Sequence, residues 1–98
     1  MHKLRLILGL LFCTVWAYGQ EGEAAKEAEK ALQASTSLTW DANKELTTND
    51  FITAEGEYRK AISKSSDNTV APFNLGTAYY NRESYEEAFG RFKQAGEK

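Results

Sequence analysis

Two segments of the chain from residue 37 onward repeat one another, and this repeat is the strongest constraint on the fold. Shifting the sequence by 34, from Ala54 to Ala88, places small residues on small ones, aromatic on aromatic, and polar on polar. The matched pairs are Ala42 and Gly76, Asp50 and Ser84, Phe51 and Tyr85, Ala54 and Ala88, Gly56 and Gly90, Tyr58 and Phe92, Arg59 and Lys93, and Ala61 and Ala95. One unit of this length cannot bury its apolar face alone. The sequence therefore predicts stacked units of two helices.

Start and stop signals divide each unit into two helices. We predict helices over residues 38–46, 51–64 and 69–81, and a last one from residue 84 onward. Asp50 is predicted to cap the second helix, and Asn68 or Thr69 the third. Ser84 with Glu87 has the spacing of a capping box at the start of the fourth.

Residues 21–34 are rich in Ala, Glu and Lys and predict a solvated helical lead-in. The stretch from Ser35 to Ser37 then offers hydroxyl caps. We expect this stretch to interrupt the helix and to separate the lead-in from the first unit.

Small residues mark where paired helices approach closely, because axes 8–10 Å apart leave no room for large side chains. We expect Gly76 to meet Ala88 in the second unit, and Ala42 to meet Ala54 in the first. Large side chains are predicted to fill the space beside the second contact: Leu75, Tyr79, Tyr85, Phe89 and Phe92.

The segment NLGTAYYNRESYEEAFGRFKQA, residues 74–95, resembles the tetratricopeptide repeat (TPR) family. The residues that carry the resemblance are Leu75, Gly76, Tyr79, Ala88, Phe92 and Ala95. The first unit matches less well, because Asp41 and Glu45 stand where the family has Leu and Tyr, and Pro72 replaces a large residue in the second. The resemblance implies an all-α fold of antiparallel helical hairpins, a TPR α-solenoid of about two repeats.

The chain is then divided into a signal peptide (1–19), a helical lead-in or linker (20–36), a degenerate repeat (37–68) and a second repeat (69–98). About three repeats are usual in a stable solenoid. We therefore expect a further unit beyond the second, which would cover Phe89, Phe92 and Ala95.

The N-terminus is typical of a secretory signal peptide. Lys3 and Arg5 form a basic start, an apolar run extends from Leu6 to Trp16, and Ala17 and Gly19 flank a cleavage site before Gln20. The run is shorter than the roughly 20 apolar residues that span a bilayer. The sequence predicts export, to the periplasm, with a buried core helix or an uncleaved anchor as alternatives.

Removal of residues 1–19 would leave 10 basic and 14 acidic side chains, a net charge of −4. This balance argues against nucleic acid, whose binding needs clustered Lys and Arg. Cys13 and His2 are the only cysteine and histidine and would both be removed. We therefore expect no enzyme, no cofactor and no metal site, and we expect Glu55, Glu57, Glu86 and Glu87 to be solvated surface.

The resemblance also implies where a partner would bind, because the first helix of each TPR hairpin lines a concave groove. The groove positions with plausible binding chemistry are Trp40, Asn43, Phe73, Asn74, Thr77, Tyr80 and Asn81. Tyr is suited to this role because it offers contact area with a polar tip at low entropic cost. The alternatives are that Trp40 packs under the lead-in helix and that Tyr80 covers neighbouring helices.

Two functions remain open at the level of the sequence. The first is a scaffold that binds a protein or peptide partner. The segments Ala42–Glu45, Tyr58–Ile62 and Asn74–Gly76, following a short signal peptide, resemble exported TPR proteins of the Bat operons of Bacteroidetes. This resemblance adds the expectation of a membrane complex, reached only through that partner. The alternative is a structural module that self-associates through the apolar edge of its last helix, at Phe89 and Ala95.

Overall fold

The chain is all-helical in the computed structural model, which describes the backbone of residues 2–97 and the side chains of residues 22–97. Four helices follow one another: α1 (His2–Thr47), α2 (Phe51–Lys64), α3 (Val70–Asn81) and α4 (Tyr85–Gly96). The predicted signal peptide lies outside the residues whose side chains are described. Within the part that is described, no helix combines the length and apolarity needed to cross a membrane.

The sequence repeat recurs in the backbone. The shift that places Ala54 on Ala88 also places the end of α1 on the end of α3, and the start of α2 on the start of α4. Each intervening turn contains one residue with left-handed backbone, Asn49 at φ 61° and Glu83 at φ 64°. The N–H after each donates to a carbonyl of the preceding helix at 3.0 Å, a common way to satisfy the free carbonyls of a helix end. The two turns are therefore the same structure.

The predicted helix caps form at two of three sites. Asp50 accepts from the Thr53 N–H at 3.1 Å. Asn68 rather than Thr69 caps α3 with its side chain. Ser84 lies at the N-cap position of α4 but its side chain makes no capping hydrogen bond, so the predicted capping box is wrong. The acidic side chains in the first turn of α4 still stabilise the helix through their interaction with the positive end of its dipole.

The predicted break at residues 35–37 is also wrong, because α1 continues through it to Thr47. The hydroxyls are used in other ways. Thr36 donates back to the Leu32 carbonyl at 2.8 Å within the helix. Ser35 is fully buried and donates to the Ala61 carbonyl of α2 at 2.5 Å. Hydroxyls that bond inside the helix or across to a neighbour do not compete with the helical backbone.

The helices pack in two pairs, α1 with α2 and α3 with α4. Ala42 and Ala54 are fully buried between the first two. In the second pair, a Cβ on Gly76 would lie 2.8 Å from the Phe92 ring and 3.2 Å from the Ala88 carbonyl oxygen. The close approach predicted at Gly76 and Ala88 is therefore confirmed, since only a small side chain fits there.

The large side chains beside the Gly76 contact divide into two groups. Leu75 and Tyr79 are buried, and Phe92 is half-buried, as predicted. Tyr85 and Phe89 are 56% and 68% exposed. The prediction that these two are buried beside this contact is wrong: Tyr85 contacts another helix only at the partly exposed ring of Tyr80, and Phe89 is the more exposed of the two.

Tyr79 joins the second pair to the first. Its hydroxyl donates to Glu55 Oε2 of α2 at 2.6 Å and accepts from Arg59 at 3.2 Å. Its ring meets Phe51 edge-on, with centroids 5.7 Å apart, and the Arg82 guanidinium lies 4.1 Å above the same Phe51 ring. These contacts hold α3 against α2 and so orient the solvent-exposed side of α3, called its outer face below.

Candidate functional site

Trp40 is 68% exposed on α1. The alternative that it packs under the lead-in is wrong, because residues 22–34 belong to the same continuous helix and cannot fold back over it. Its ring instead borders a small cavity of about 110 Å³ between α1 and the start of α3, shared with Thr39 and Val70. A tryptophan this exposed is available for contact with another molecule.

Asn43 and Asn74 form a polar bridge between α1 and α3. Asn74 Nδ2 donates to Asn43 Oδ1 at 3.1 Å, and the hydroxyl of Tyr58 on α2 donates to the same oxygen. Burial raises the pKa of Tyr58, which further favours the protonated form that donates this bond. The bridge leaves the Asn43 amide nitrogen and the Asn74 carbonyl oxygen as the polar groups that the pair can offer.

Phe73 and Tyr80 lie on the outer face of α3, 56% and 57% exposed. Each ring contacts an aromatic ring of α4. Phe73 meets Phe92 with centroids 5.6 Å apart, and Tyr80 meets Tyr85 edge-on at 5.3 Å. Tyr80 therefore covers a neighbouring helix with one edge, as one alternative predicted, and presents more than half of its surface to solvent; its role in binding stays a prediction.

Thr77 lies between these two aromatics and is exposed, with its hydroxyl donating to the Phe73 carbonyl at 3.0 Å. Asn81 lies one turn further on and lines a separate depression with Leu46 and Arg82. The structure thus places Trp40, Asn43 and Asn74 at one end of the surface. Asn81 lies at the other end and not in the same cavity.

Two contributors to this surface were missed by the sequence analysis. Val70 is 55% exposed and lines both the cavity beside Trp40 and an open groove of about 700 Å³ that it shares with Phe73 and Phe92. Tyr58 supplies the hydroxyl that holds Asn43 in place. An apolar residue at the start of a helix, such as Val70, is a sequence signal that could have indicated its place on this surface. No sequence signal indicated that the Tyr58 hydroxyl contacts α1.

The outer face of α3 lacks charge. Its sequence, VAPFNLGTAYYN, contains no Asp, Glu, Lys or Arg, although exposed or half-exposed positions make up much of the helix. A face turned to water usually carries charged side chains, whereas the centres of protein interfaces are depleted of them and enriched in aromatics. The composition of this face is typical of an interface.

The carboxylates offer no comparable site. Glu55 is engaged by Tyr79 and lies 3.9 Å from Arg59. Burial, followed by the bond to Glu55, raises the pKa of Tyr79, and the Tyr79 hydroxyl raises the pKa of Arg59. Glu86 and Glu87 are exposed on α4. Among the described residues, no group of His, Cys, Asp and Glu side chains could hold a metal ion.

No protein-family model, no curated protein and no solved structure matches this chain.

Proposed function

We propose that this chain is a TPR-type α-solenoid module that binds a protein or peptide partner on the surface formed by α1 and α3. The observation that carries the proposal is the outer face of α3, which exposes Val70, Phe73 and Tyr80 without a single charged residue. The repeated turns and helix ends are consistent with TPR hairpins.

The chemistry of the surface suits a weakly charged partner. Trp40, Phe73 and Tyr80 offer area for apolar side chains, and such rigid aromatics are enriched among residues that dominate binding energy. The Asn43–Asn74 bridge leaves the Asn43 amide nitrogen as a donor group and the Asn74 carbonyl oxygen as an acceptor, the complement of a peptide group. A peptide or helix laid across α1 and α3 would use both.

The proposed role is that of a scaffold and not of an enzyme, acting without cofactor, nucleic acid or small-molecule substrate. The proposed location is the periplasm, following the export signal read from residues 1–19. There the partner would belong to an envelope complex, through which the scaffold reaches the membrane only indirectly.

A capture experiment tests the proposal. The full chain is immobilised and exposed to an envelope extract, and the bound proteins are compared with those held by the double variant Asn74→Ala, Tyr80→Ala. We expect the double variant to lose the specific partner. The matched control is Ile52→Ala, because Ile52 is 84% exposed on α2, away from the surface. A partner held equally by all three proteins would refute the assignment of the surface.

Self-association is the second candidate, and the open groove between α3 and α4 favours it. This groove of about 700 Å³ is lined by Phe73, Phe92 and Ala95, and Phe89 of the same helix α4 is 68% exposed. Exposed apolar patches of this kind mark interaction sites. Light scattering separates the two candidates: Phe89→Glu would halve the mass of a dimer, whereas a monomeric scaffold would keep its mass.

A further inference from the structure

Asn68 lies in the loop between the two helix pairs and is 6% exposed. Its side-chain oxygen accepts from the backbone N–H groups of Val70 and Ala71, both at 3.0 Å. Its side-chain nitrogen donates to Ser35 Oγ at 2.8 Å and to Thr39 Oγ1 at 2.9 Å. The two backbone donors fix which end of the amide is oxygen, because a flipped amide would place N–H against N–H.

All four hydrogen-bonding positions of this amide are therefore occupied. A primary amide has two acceptor positions and two donors, and each is matched here by one partner. The acceptor half belongs to the start of α3 and the donor half to α1. Asn68 is thus a direct polar link between the second helix pair and the first.

The hydroxyls that receive Asn68 have committed their own hydrogens elsewhere. Ser35 donates to the Ala61 carbonyl near the end of α2, and Thr39 donates to the Ser35 carbonyl at 2.9 Å. Ser35 and Thr39 are 0% and 4% exposed, so neither hydroxyl has water as an alternative partner. Both oxygens can accept a hydrogen bond from residue 68, and neither can donate one without losing an existing bond.

We infer that Asn68 is a positioning residue that fixes α3 against α1 and α2, and that its two amide donors are the part that does so. Through this junction Asn68 sets the spacing between Trp40 on α1 and Phe73 on α3. This last consequence rests on the proposed function, whereas the junction itself does not.

Asn68→Asp separates this role from simple helix capping. Asp is as good an N-cap as Asn, and its charge favours a helix N-terminus. If Asn68 only capped α3, the variant would melt within about 2 °C of the parent, or above it. The junction predicts the opposite, because a carboxylate has no donor and would face two hydroxyl oxygens. The expected loss is about 5–15 °C in Tm.

Gln33→Glu is the matched control, since it makes the same amide-to-carboxylate change at an exposed position of α1. We expect its Tm to stay within about 2 °C of the parent. Thr39→Val is the second variant, which removes one acceptor while keeping the shape of the side chain. It should also lower the Tm, and it keeps the test decisive if Asn68→Asp fails to fold.

The orientation of the pairs is measured separately. Spin labels on cysteines at Ser63 of α2 and Glu87 of α4, both exposed, report the distance between the pairs in a Cys13→Ala background. We expect Thr39→Val and Asn68→Asp to broaden or shift the distance distribution, and Gln33→Glu to leave it unchanged. A distance distribution that is unchanged in both Asn68→Asp and Thr39→Val would overturn the inference, whatever the change in Tm.

This result does not depend on a partner. If the distances change but the capture experiment finds nothing, the junction stands and the proposed function fails. If a partner is captured and the distances do not change, the proposed function stands and the positioning role of Asn68 fails.

Discussion

The face of the first helix pair that meets α3 and the open face of the second pair occupy equivalent positions in the repeat but differ in chemistry. On the first face, Ser35 and Thr39 are buried and take part in a complete polar network. Their counterparts on the open face are Thr69 and Phe73, both exposed. The second unit therefore keeps the backbone of the first while exchanging a polar junction for an apolar surface.

This difference indicates what each face can accept. A helix that began as α3 does, with an asparagine amide at its N-cap, would find two hydroxyls on the first face. On the open face the second hydroxyl is replaced by the Phe73 ring, so one amide donor would be buried without a partner, at a cost of roughly 1–3 kcal/mol. The open face favours an apolar occupant.

The largest expected effect contrasts the covered core with the open face. Leu75 is fully buried, and Leu75→Ala should lower the free energy of unfolding by about 2–5 kcal/mol through lost burial and a residual cavity. Phe73→Ala, a larger deletion at a 56% exposed position, should cost about 1 kcal/mol or less. Urea titration measures both. Equal losses would show that Phe73 is as well packed as Leu75.

Tyr58 and Phe92 are equivalent residues, and exchanging them tests whether the hydroxyl matters only at the covered face. Tyr58→Phe removes the bond to Asn43 and should cost about 0.5–1.5 kcal/mol. Phe92→Tyr adds a hydroxyl at a half-exposed site and should change stability by less than about 0.5 kcal/mol. The same urea titrations give the comparison, which fails if the two substitutions have equal effects.

The two turns offer a smaller effect of opposite sign. Both have one residue in left-handed conformation, but Asn49 tolerates it better than Glu83. Glu83→Asn should stabilise the protein by roughly 0.5–1 kcal/mol, and Asn49→Glu should destabilise it by a similar amount. Thermal melts of the two variants check the prediction. A loss of stability in Glu83→Asn would indicate that the Glu83 side chain makes a compensating contact.

The smallest expected effect is a dependence on alkaline pH. Burial raises the pKa of Tyr58 and of Tyr79 above the ordinary value of 10.0. Their neutral forms are therefore favoured in the folded state, and this contribution is complete below pH 10 and is lost as pH rises through the raised pKa values. The free energies of unfolding at about pH 8 and about pH 11 should differ less in the double variant Tyr58→Phe, Tyr79→Phe than in the parent protein.

The sequence predicted the parts of the fold that depend on local signals and on the repeat. The bounds of α2, the Asp50 cap and the close approach at Gly76 all follow from residue types at known spacings. The predicted helix break at Ser35 was wrong, because the sequence alone does not distinguish a hydroxyl that caps a helix from one that bonds to a neighbouring helix. Only the position of α2 decides between them.

The candidate surface was predicted as a set of residues but not as an arrangement. Trp40, Phe73 and Tyr80 are exposed, and their assignment to a partner-binding groove stays a prediction. The bond between Asn43 and Asn74 was not foreseen, because it depends on how the two helix pairs meet. That meeting is governed by Asn68, a loop residue whose partners are distributed along the chain from Ser35 to Ala71.

The uninterrupted course of α1 past Ser35 has a mechanical consequence. Residues 22–34 extend beyond α2 with largely exposed side chains, and at 1.5 Å per residue they form a lever roughly 20 Å long. A load applied at its far end would produce its greatest torque where the helix first meets support. Among the described side chains of α1, Ser35 is the first that is fully buried and bonded to another helix: it donates to the Ala61 carbonyl and accepts from the amide of Asn68. A sideways force on the N-terminal part of α1 would therefore act first on the junction between the helix pairs.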